Sequence, residues 1–290
     1  MNTLSIQNLS LVYNNKVKAI DDISLEIKDG MFGLLGPNGA GKSSLMKTIV
    51  GLQKPSSGNI FFNGISAVEN PDFLRKQLGF LPQDFNVYPK VTAWQLLEHL
   101  AVLKGVTNSK KRKEQINNLL QKVNLYDKKD NEVRTFSGGM KQRFGVAQAL
   151  LGSPKLIIVD EPTAGLDPEE RNRFNALLTE ISRDIIVILS THLVEDVRNL
   201  CSNMAVIRNG KLLCLGSPSE LTASLKGKTW TRSILKSELQ RFQLEYQVIS
   251  YQFIERQMFI TIFSEEEPKG FNSLEPTMEH FYFFTLNQNK

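Results

Sequence analysis

Residues 36–43 read Gly36-Pro37-Asn38-Gly39-Ala40-Gly41-Lys42-Ser43, which fits the pattern G-x-x-x-x-G-K-[ST]. An apolar run at 31–35 precedes this stretch, and a helix-compatible run at 44–50 follows it. Glycines let the backbone curl so that successive N–H groups point inward, and the helix adds the positive end of its dipole. Lys42 can reach the β- and γ-phosphates of a nucleotide, and the Ser43 hydroxyl can bind magnesium. The stretch therefore predicts a phosphate-binding loop between a strand and a helix.

The composition is that of an ordinary globular protein, with 290 residues, 41% of them apolar and 22% charged. The net charge of +5 is small for this length. We expect no nucleic-acid partner, because nucleic-acid binders concentrate basic charge on one face or helix. Much of the basic excess lies at 104–143, which fits a solvated helix face or, alternatively, attraction to an anionic membrane surface or a partner.

The two cysteines, Cys201 and Cys214, have neither the spacing of a metal site nor the number for a disulfide framework. They fit a reducing compartment. The first residues show no basic region leading into an apolar stretch, so we expect no signal peptide. The longest apolar runs, such as 185–189, are too short to cross a bilayer. We therefore expect any membrane role to go through a partner.

The first half of the chain shows strands, turns and then helices. Residues 3–30 predict strands with a turn at 14–16, and Asn63-Gly64 predicts a second turn. From about 94 to 123 the apolar spacing becomes helical. The apolar residues that share a helix face there are Leu96, Leu97, Leu100 and Leu103, followed by Ile116, Leu119, Leu120 and Val123. This segment predicts a helical insertion after the phosphate loop.

The second half predicts a buried parallel sheet. Residues 156–159 and 185–189 are short, apolar and rich in β-branched side chains, which is typical of central strands buried on both faces. A helix that begins near Pro168 completes a βαβ unit between them. Asn209-Gly210 predicts a hairpin turn, and a short helix follows from about 219. Beyond residue 227 the chain becomes aromatic and strand-like at 246–250 and 258–263. It ends in a predicted amphipathic helix with Leu274, Met278, Phe281 and Tyr282.

Two carboxylates follow the first of these buried strands, in residues 159–161, which read V-D-E. Open α/β sheets bind ligands at the carboxyl ends of their strands. Asp160 can hold magnesium, through water, and Glu161 can accept a proton from an attacking water. Pro162 keeps Glu161 out of the helical region. The alternative is an ordinary acidic turn, which the phosphate loop earlier in the chain makes less favourable.

Residues 135–143 read T-F-S-G-G-M-K-Q-R, between the phosphate loop and Glu161. Ser137 suits a helix N-cap, and the two glycines that follow let backbone N–H groups approach an anion. In this position the stretch resembles the signature motif of the ATP-binding subunits of ABC transporters. It departs from the commonest L-S-G-G-Q form at Phe136 and Met140 but keeps the serine and both glycines.

The resemblance implies roles for four further residues. Tyr13 lies where the family places an aromatic ring that stacks on adenine, although a strand-edge tyrosine is the alternative. Gln83 resembles the Q-loop glutamine that senses magnesium and the permease. Asp167 ends a run that resembles the D-loop, which passes between two subunits. His192 follows a buried strand and resembles the switch histidine near the γ-phosphate.

The implied cofactors are ATP and Mg²⁺, and the implied site has three groups of residues. The catalytic residues are Glu161, His192 and Lys42. The nucleotide ligands are Tyr13, Gly36, Pro37, Asn38, Gly39, Ala40, Gly41, Lys42, Ser43, Ser44, Gln83, Ser137, Gly138, Gly139 and Asp167. The metal ligands are Ser43, Gln83 and Asp160.

The resemblance, which covers about residues 2–225, implies an α/β fold. Its expected parts are a P-loop NTPase core with a mainly parallel sheet, an N-terminal antiparallel β subdomain, a helical insertion and a small α+β C-terminal accessory domain. The expected boundaries are 1–225 for the ATP-binding domain, with the helical subdomain at about 84–150, and 226–290 for the accessory domain.

The resemblance also implies a function: ATP hydrolysis that powers a separate membrane permease. The partners would be that permease and a second ATP-binding subunit, identical or homologous, on the cytoplasmic face of the membrane. The final helix is similar to those of subunits that serve drug and antibiotic exporters, which favours export. The main alternative is a soluble ABC ATPase acting on ribosomes or DNA, and a module that binds ATP without hydrolysis is a third.

Overall fold

The chain folds into three β-sheets and a set of α-helices, as seen in a computed structural model that describes residues 1–14, 16–83 and 90–288. The strands are β1 Thr3–Val12, β2 Lys18–Lys28, β3 Gly30–Leu35, β4 Ser57–Phe62, β5 Ile65–Ser66, β6 Leu78–Leu81, β7 Leu156–Asp160, β8 Ile186–Thr191, β9 Asn203–Arg208, β10 Lys211–Gly216, β11 Thr229–Ile234, β12 Gln247–Ile254, β13 Gln257–Phe263 and β14 Asn272–Ser273. The α-helices are α1 Lys42–Ile49, α2 Pro71–Gln77, α3 Ala93–Leu103, α4 Ser109–Lys122, α5 Gly138–Ala149, α6 Pro168–Ile181, α7 Val194–Leu200, α8 Pro218–Ala223, α9 Leu239–Glu245 and α10 Met278–Gln288.

The central sheet has the strand order β10-β9-β3-β8-β7-β6. All neighbouring pairs are parallel except β9 and β10, which form a hairpin. Every residue of β7 and β8 is buried, which confirms the prediction of central strands covered on both faces. Because β3, β7 and β8 run in the same direction, the phosphate loop and the residues that follow β7 and β8 meet at one edge of the sheet.

An antiparallel sheet with the order β2-β1-β4-β5 packs against one face of the central sheet and α1. Alternation along β2 buries Ile20, Ile23, Leu25 and Ile27. The predicted turn at Asn63-Gly64 is confirmed, and both residues have positive φ, 50° and 79°. In the turn at 14–16, the Lys16 N–H donates to the Tyr13 carbonyl. Asn15 lies outside the described residues.

The helical insertion consists of α3, α4 and α5, which share one core with the central sheet. The helical pattern at 94–123 forms two helices, since the chain turns at Gly105, whose φ is 84°. Leu96 and Leu97 are buried as predicted, but Leu103 is 71% exposed because α3 ends there. The predicted apolar face is therefore wrong at Leu103. The expected start of the helical subdomain at about 84 falls within 84–89, outside the described residues.

The third sheet, β12-β13-β11-β14, is antiparallel and has a small core of its own with α9. The predicted final helix begins at Met278, so the prediction is wrong for Leu274, which lies before it. Pro276 separates the two and restricts the residue before it to extended backbone. The buried residues of α10 join the core of the central sheet, where the helix packs on α7 and α8. The C-terminal helix therefore docks on the part of the chain that contains the central sheet.

Candidate nucleotide-binding site

A cleft of about 610 Å³ lies at the carboxyl edge of β3. It is lined by the phosphate loop and by residues from four other segments, so distant parts of the chain build its walls. The lining residues are Tyr13, Val17, Lys18, Ala19, Asn38, Gly39, Ala40, Gly41, Lys42, Ser43, Ser44, Gln83, Glu161, Asn209 and Gly210.

The phosphate loop has the backbone that the sequence predicts. Gly39 and Gly41 have positive φ, 78° and 105°, and Gly41 is the N-cap of α1. A Cβ on Gly41 would lie 2.5 Å from the Ala19 carbonyl oxygen, so a side chain has no room there. The amino end of α1 therefore faces the cleft and offers its free N–H groups and positive dipole to an anion.

Lys42 is 5% exposed and lies across the loop. Its ammonium group donates to the carbonyl oxygens of Gly36, at 2.7 Å, and Pro37, at 3.2 Å. The same nitrogen is 3.7 Å from Glu161 Oε1. Burial lowers the pKa of Lys42, and the charges of Glu161 and Asp160 oppose this shift. The loop thus holds a cation at the position where terminal phosphates would bind.

Asp160 and Ser43 form the part of the site that suits a cation. The Ser43 hydroxyl donates to Asp160 Oδ2 at 3.4 Å. Burial raises the pKa of Asp160, the charge of Glu161 raises it further, and Ser43 and Lys42 oppose the rise. A divalent cation would stabilise this buried carboxylate, and hydroxyl and carboxylate oxygens are ligands that Mg²⁺ prefers.

In the described part of the chain, no group of three or more His, Cys, Asp or Glu could hold a metal ion. Gln83, the third predicted metal ligand, lines the same cleft. Ser43 and Gln83 therefore both face the cleft, and Asp160 contacts Ser43 from beside it.

Glu161 and His192 meet beside the phosphate loop because they follow the neighbouring strands β7 and β8. Glu161 Oε2 lies 3.1 Å from His192 Nδ1. The φ of Glu161 is 44°, which lies in the left-handed region. The residue therefore avoids the right-handed helical region, as predicted, but its backbone is not extended. Backbone in this region costs about 1–3 kcal/mol for a residue with a side chain. It directs the carboxylate between Lys42 and His192.

Tyr13 lies in the wall of the cleft. Its hydroxyl is 3.1 Å from Ser44 Oγ, and its side chain is half-buried. This contact fixes the ring next to the start of α1. Its position fits an aromatic platform for a base.

The signature residues form a separate surface. Ser137 Oγ accepts a hydrogen bond from the Met140 N–H at 3.2 Å, which confirms the predicted N-cap of α5. Asp167 caps α6 in the same way through the Glu170 N–H. Within the described residues, Ser137, Gly138, Gly139 and Asp167 are not part of the cleft lining. One chain therefore presents two surfaces, the cleft and the exposed amino end of α5.

Part of the cleft wall was not predicted from the sequence. Asn209 and Gly210 were predicted as a hairpin turn, and the turn lines the cleft because β9 pairs with β3. The Gly210 N–H donates to the Ala40 carbonyl at 2.8 Å. No local signal marks this role, since it depends on the order of strands in the sheet. Residues 17–19 also line the cleft and were not predicted to do so.

Asp196 is a fully buried carboxylate that connects the segments behind the site. It accepts hydrogen bonds from Thr163 Oγ1 at 2.7 Å and from Arg171 Nε at 2.9 Å. Arg171 Nη2 also lies 2.7 Å from Asp196 Oδ1. Thr163 follows Glu161 closely, Arg171 is on α6 and Asp196 is on α7, which follows His192. The network therefore ties the segments that follow Glu161 and His192 to α6.

Replacing Asp196 with alanine is expected to lower the free energy of unfolding by about 3 kcal/mol, because it leaves a partly buried guanidinium without its main partner. Chemical denaturation measures this change. Glu195→Ala is the matched control, since Glu195 also pairs with Arg171 but is 56% exposed. It should shift the free energy by no more than about 0.5 kcal/mol. Equal losses in both variants would show that the buried network does not hold these segments.

Comparisons with known proteins agree with this geometry. A profile of the ABC transporter family, described as "ABC transporter", matches residues 20–164, half of the chain. The linearmycin resistance ATP-binding protein LnrL of Bacillus subtilis (strain 168) is 34% identical over 228 residues, covering 78% of this chain and 73% of LnrL. The methionine import ATP-binding protein MetN of Carboxydothermus hydrogenoformans is 36% identical over 217 residues, covering 72% of this chain and 64% of MetN.

A solved structure shares the fold. It is that of cbiO1 from Clostridium perfringens, described as part of the ABC transporter complex cbiONQ. The TM-score is 0.68 at 28% identity, and the match covers 83% of this chain and 94% of that chain. Together with the three sheets described above, this likeness confirms the predicted α/β fold with its antiparallel N-terminal sheet, mainly parallel core and C-terminal antiparallel sheet.

Proposed function

This chain belongs to the ABC transporter family as an ATP-hydrolysing subunit, and we propose that it powers a separate membrane permease that exports its substrate across the cytoplasmic membrane. The observation that carries the catalytic part is the meeting of Lys42, Asp160, Glu161 and His192 at one edge of the central sheet. In the described ranges, no helix is both long and apolar enough to span a membrane. The chain would therefore reach the membrane by binding the permease on its cytoplasmic face.

For hydrolysis, we assign each residue one task. Lys42 and the N–H groups at the start of α1 neutralise charge on the terminal phosphates. Ser43, Asp160 and Gln83 would hold Mg²⁺, which supplies charge stabilisation to the phosphoryl group. Glu161 accepts the proton of the attacking water, and His192 holds the carboxylate and helps to position that water. Tyr13 stacks on the adenine.

The second surface indicates a second subunit. Ser137 and Gly138 are exposed at the amino end of α5, a twelve-residue helix. A Cβ on Gly138 would have no heavy atom within 4 Å, so the backbone there is open to an incoming group. We propose that this end, with Gly139, contacts the γ-phosphate held by the partner's cleft, while Asp167 lies between the two subunits. The partner would be a second copy of this chain or a homologue.

We assign residues 226–290 to a C-terminal accessory domain, which follows an ATP-binding domain of residues 1–225.

Two similarities support export. The final helix is similar to those of exporter subunits, and LnrL is by its name a resistance protein. MetN is by its name an import protein, so direction has to be measured. The cbiO1 protein belongs to a transporter complex, which supports a permease partner.

A deletion strain tests both partner and direction. A tagged copy of the chain should be recovered from detergent-solubilised membranes with a multi-span protein, and recovery with ribosomes would contradict the proposal. Loss of the chain should increase sensitivity to a panel of amphiphilic antibiotics. The wild-type chain should restore resistance and Glu161→Gln should not. A nutrient requirement without any change in sensitivity would indicate import.

A further inference from the structure

Arg208 lies between the nucleotide cleft and the C-terminal helix. It is the last residue of β9, and its guanidinium donates to the Leu286 carbonyl near the end of α10. The next two residues, Asn209 and Gly210, line the cleft. One short segment, residues 207–210, therefore touches both the site and the helix.

On the cleft side, this segment fits the phosphate loop closely. The Gly210 N–H donates to the Ala40 carbonyl at 2.8 Å, and the Gly210 carbonyl accepts from the Asp21 N–H at 2.8 Å. A Cβ on Gly36 would lie 2.3 Å from the Ile207 carbonyl oxygen. These contacts leave no space between the hairpin and the loop, so a shift of the hairpin has to move the loop.

On the side away from the cleft, the segment contacts α10, which packs at the edge of the core. Met278, Phe281 and Tyr282 are buried, and the Phe284 ring lies 4.6 Å from the Phe263 ring. An arginine that binds a carbonyl in the last turn satisfies a free acceptor and complements the negative end of the helix dipole. The Arg208 contact thus joins the carboxyl end of α10 to the hairpin.

We propose that Arg208 is a positioning residue for the nucleotide site and that docking of α10 on it raises the affinity of the cleft for ATP. The proposal rests on the proposed function only in that the cleft binds ATP. With α10 docked, the hairpin is fixed and holds the loop through Gly210. With α10 released, the hairpin and loop gain freedom that ATP binding must remove. By reciprocity, ATP binding should stabilise the docked helix.

The test compares Arg208→Ala, Arg208→Lys and Arg241→Ala. Arg241 is a matched control because it is an arginine on a different helix, α9, and is 62% exposed. Within the described residues, its one ion pair is with Glu245. We expect Arg208→Ala to raise the Kd and the KM for ATP about fivefold or more, with kcat within about twofold. Arg208→Lys should rescue part of the affinity, since lysine can donate one hydrogen bond. Arg241→Ala should match the wild type.

Two further readouts separate positioning from a general loss of structure. Phe284→Ala should weaken ATP binding like Arg208→Ala, and the double variant should be no weaker than Arg208→Ala, because both changes release the same helix. ATP should slow hydrogen exchange in α10 of the wild type and not in Arg208→Ala. Additive losses, or an unchanged Kd in Arg208→Ala with α10 exchanging faster, would overturn the inference. Loss of ATP binding by Lys42→Ala in the same assay would show that the cleft binds ATP. The proposed function would then stand even if the inference about Arg208 failed.

Discussion

Replacing Lys42 with alanine is expected to weaken ATP binding by about 100-fold, because a desolvated charge pair of this kind contributes about 3 kcal/mol. Lys42 is a buried cation of the phosphate loop, 5% exposed and 3.7 Å from Glu161. Without it, the carboxylates of Asp160 and Glu161 face the terminal phosphates with no lysine charge to offset them. The loss therefore combines a missing attraction with a new repulsion.

Lys47→Ala is the matched control for this variant. Lys47 lies on the same helix and carries the same charge, but it is exposed and lies outside the cleft lining. Isothermal titration calorimetry with ATP and Mg²⁺ should give a wild-type Kd for Lys47→Ala and a greatly raised one for Lys42→Ala. Thermal unfolding checks that both variants are folded. Wild-type affinity in a folded Lys42→Ala protein would remove Lys42 from the site.

The parts of the fold that depend on neighbouring residues could be predicted from the sequence. Glycines with positive φ lie in the phosphate loop and in the predicted turns at Asn63-Gly64 and Asn209-Gly210, since few other residues adopt that backbone. Uninterrupted apolar runs identified β7 and β8 because only central strands are buried on both faces. The carboxylates at the end of β7 and the histidine that follows β8 were therefore expected at one edge.

The parts that depend on distant pairing could not be predicted. Asn209 and Gly210 enter the cleft because β9 pairs with β3, and α10 docks on α7 and α8, far from it in sequence. Neither contact leaves a local pattern. The φ of Glu161 was also beyond the sequence, because a proline predicts an extended residue before it and the surrounding site imposes a different backbone. These misses concern the cleft wall and the support of the site, and not which charged residues form it.

Replacing Glu161 with glutamine is expected to slow ATP hydrolysis by about 100-fold or more while ATP binding survives. The amide has the shape of the carboxylate but cannot accept the proton of the attacking water. Its oxygen or nitrogen can still contact His192, 3.1 Å from the present carboxylate. Lys42 would lose only one of its partners, since the carbonyl oxygens of Gly36 and Pro37 remain. Single-turnover phosphate release measures the rate.

Glu169→Gln is the control for this variant, because it removes an exposed carboxylate on α6, 76% exposed, without touching the cleft. It should hydrolyse ATP at the wild-type rate. Unchanged turnover in Glu161→Gln would instead mean that another group accepts the proton. In that case the left-handed backbone at Glu161 would have a structural role and no catalytic one.

The same variant tests the second subunit, because slow hydrolysis should let ATP hold two chains together. Glu161→Gln with ATP and Mg²⁺ is expected to elute as a dimer in size-exclusion chromatography with light scattering. Gly138→Asp in that background should keep it monomeric, since the new carboxylate would face the partner's γ-phosphate. The open space at Gly138 accepts the side chain without a clash, and Gly138→Ala is the uncharged control. A dimer that forms equally well with aspartate at position 138 would place the interface elsewhere, and a strictly monomeric Glu161→Gln chain beside its permease would refute the shared site.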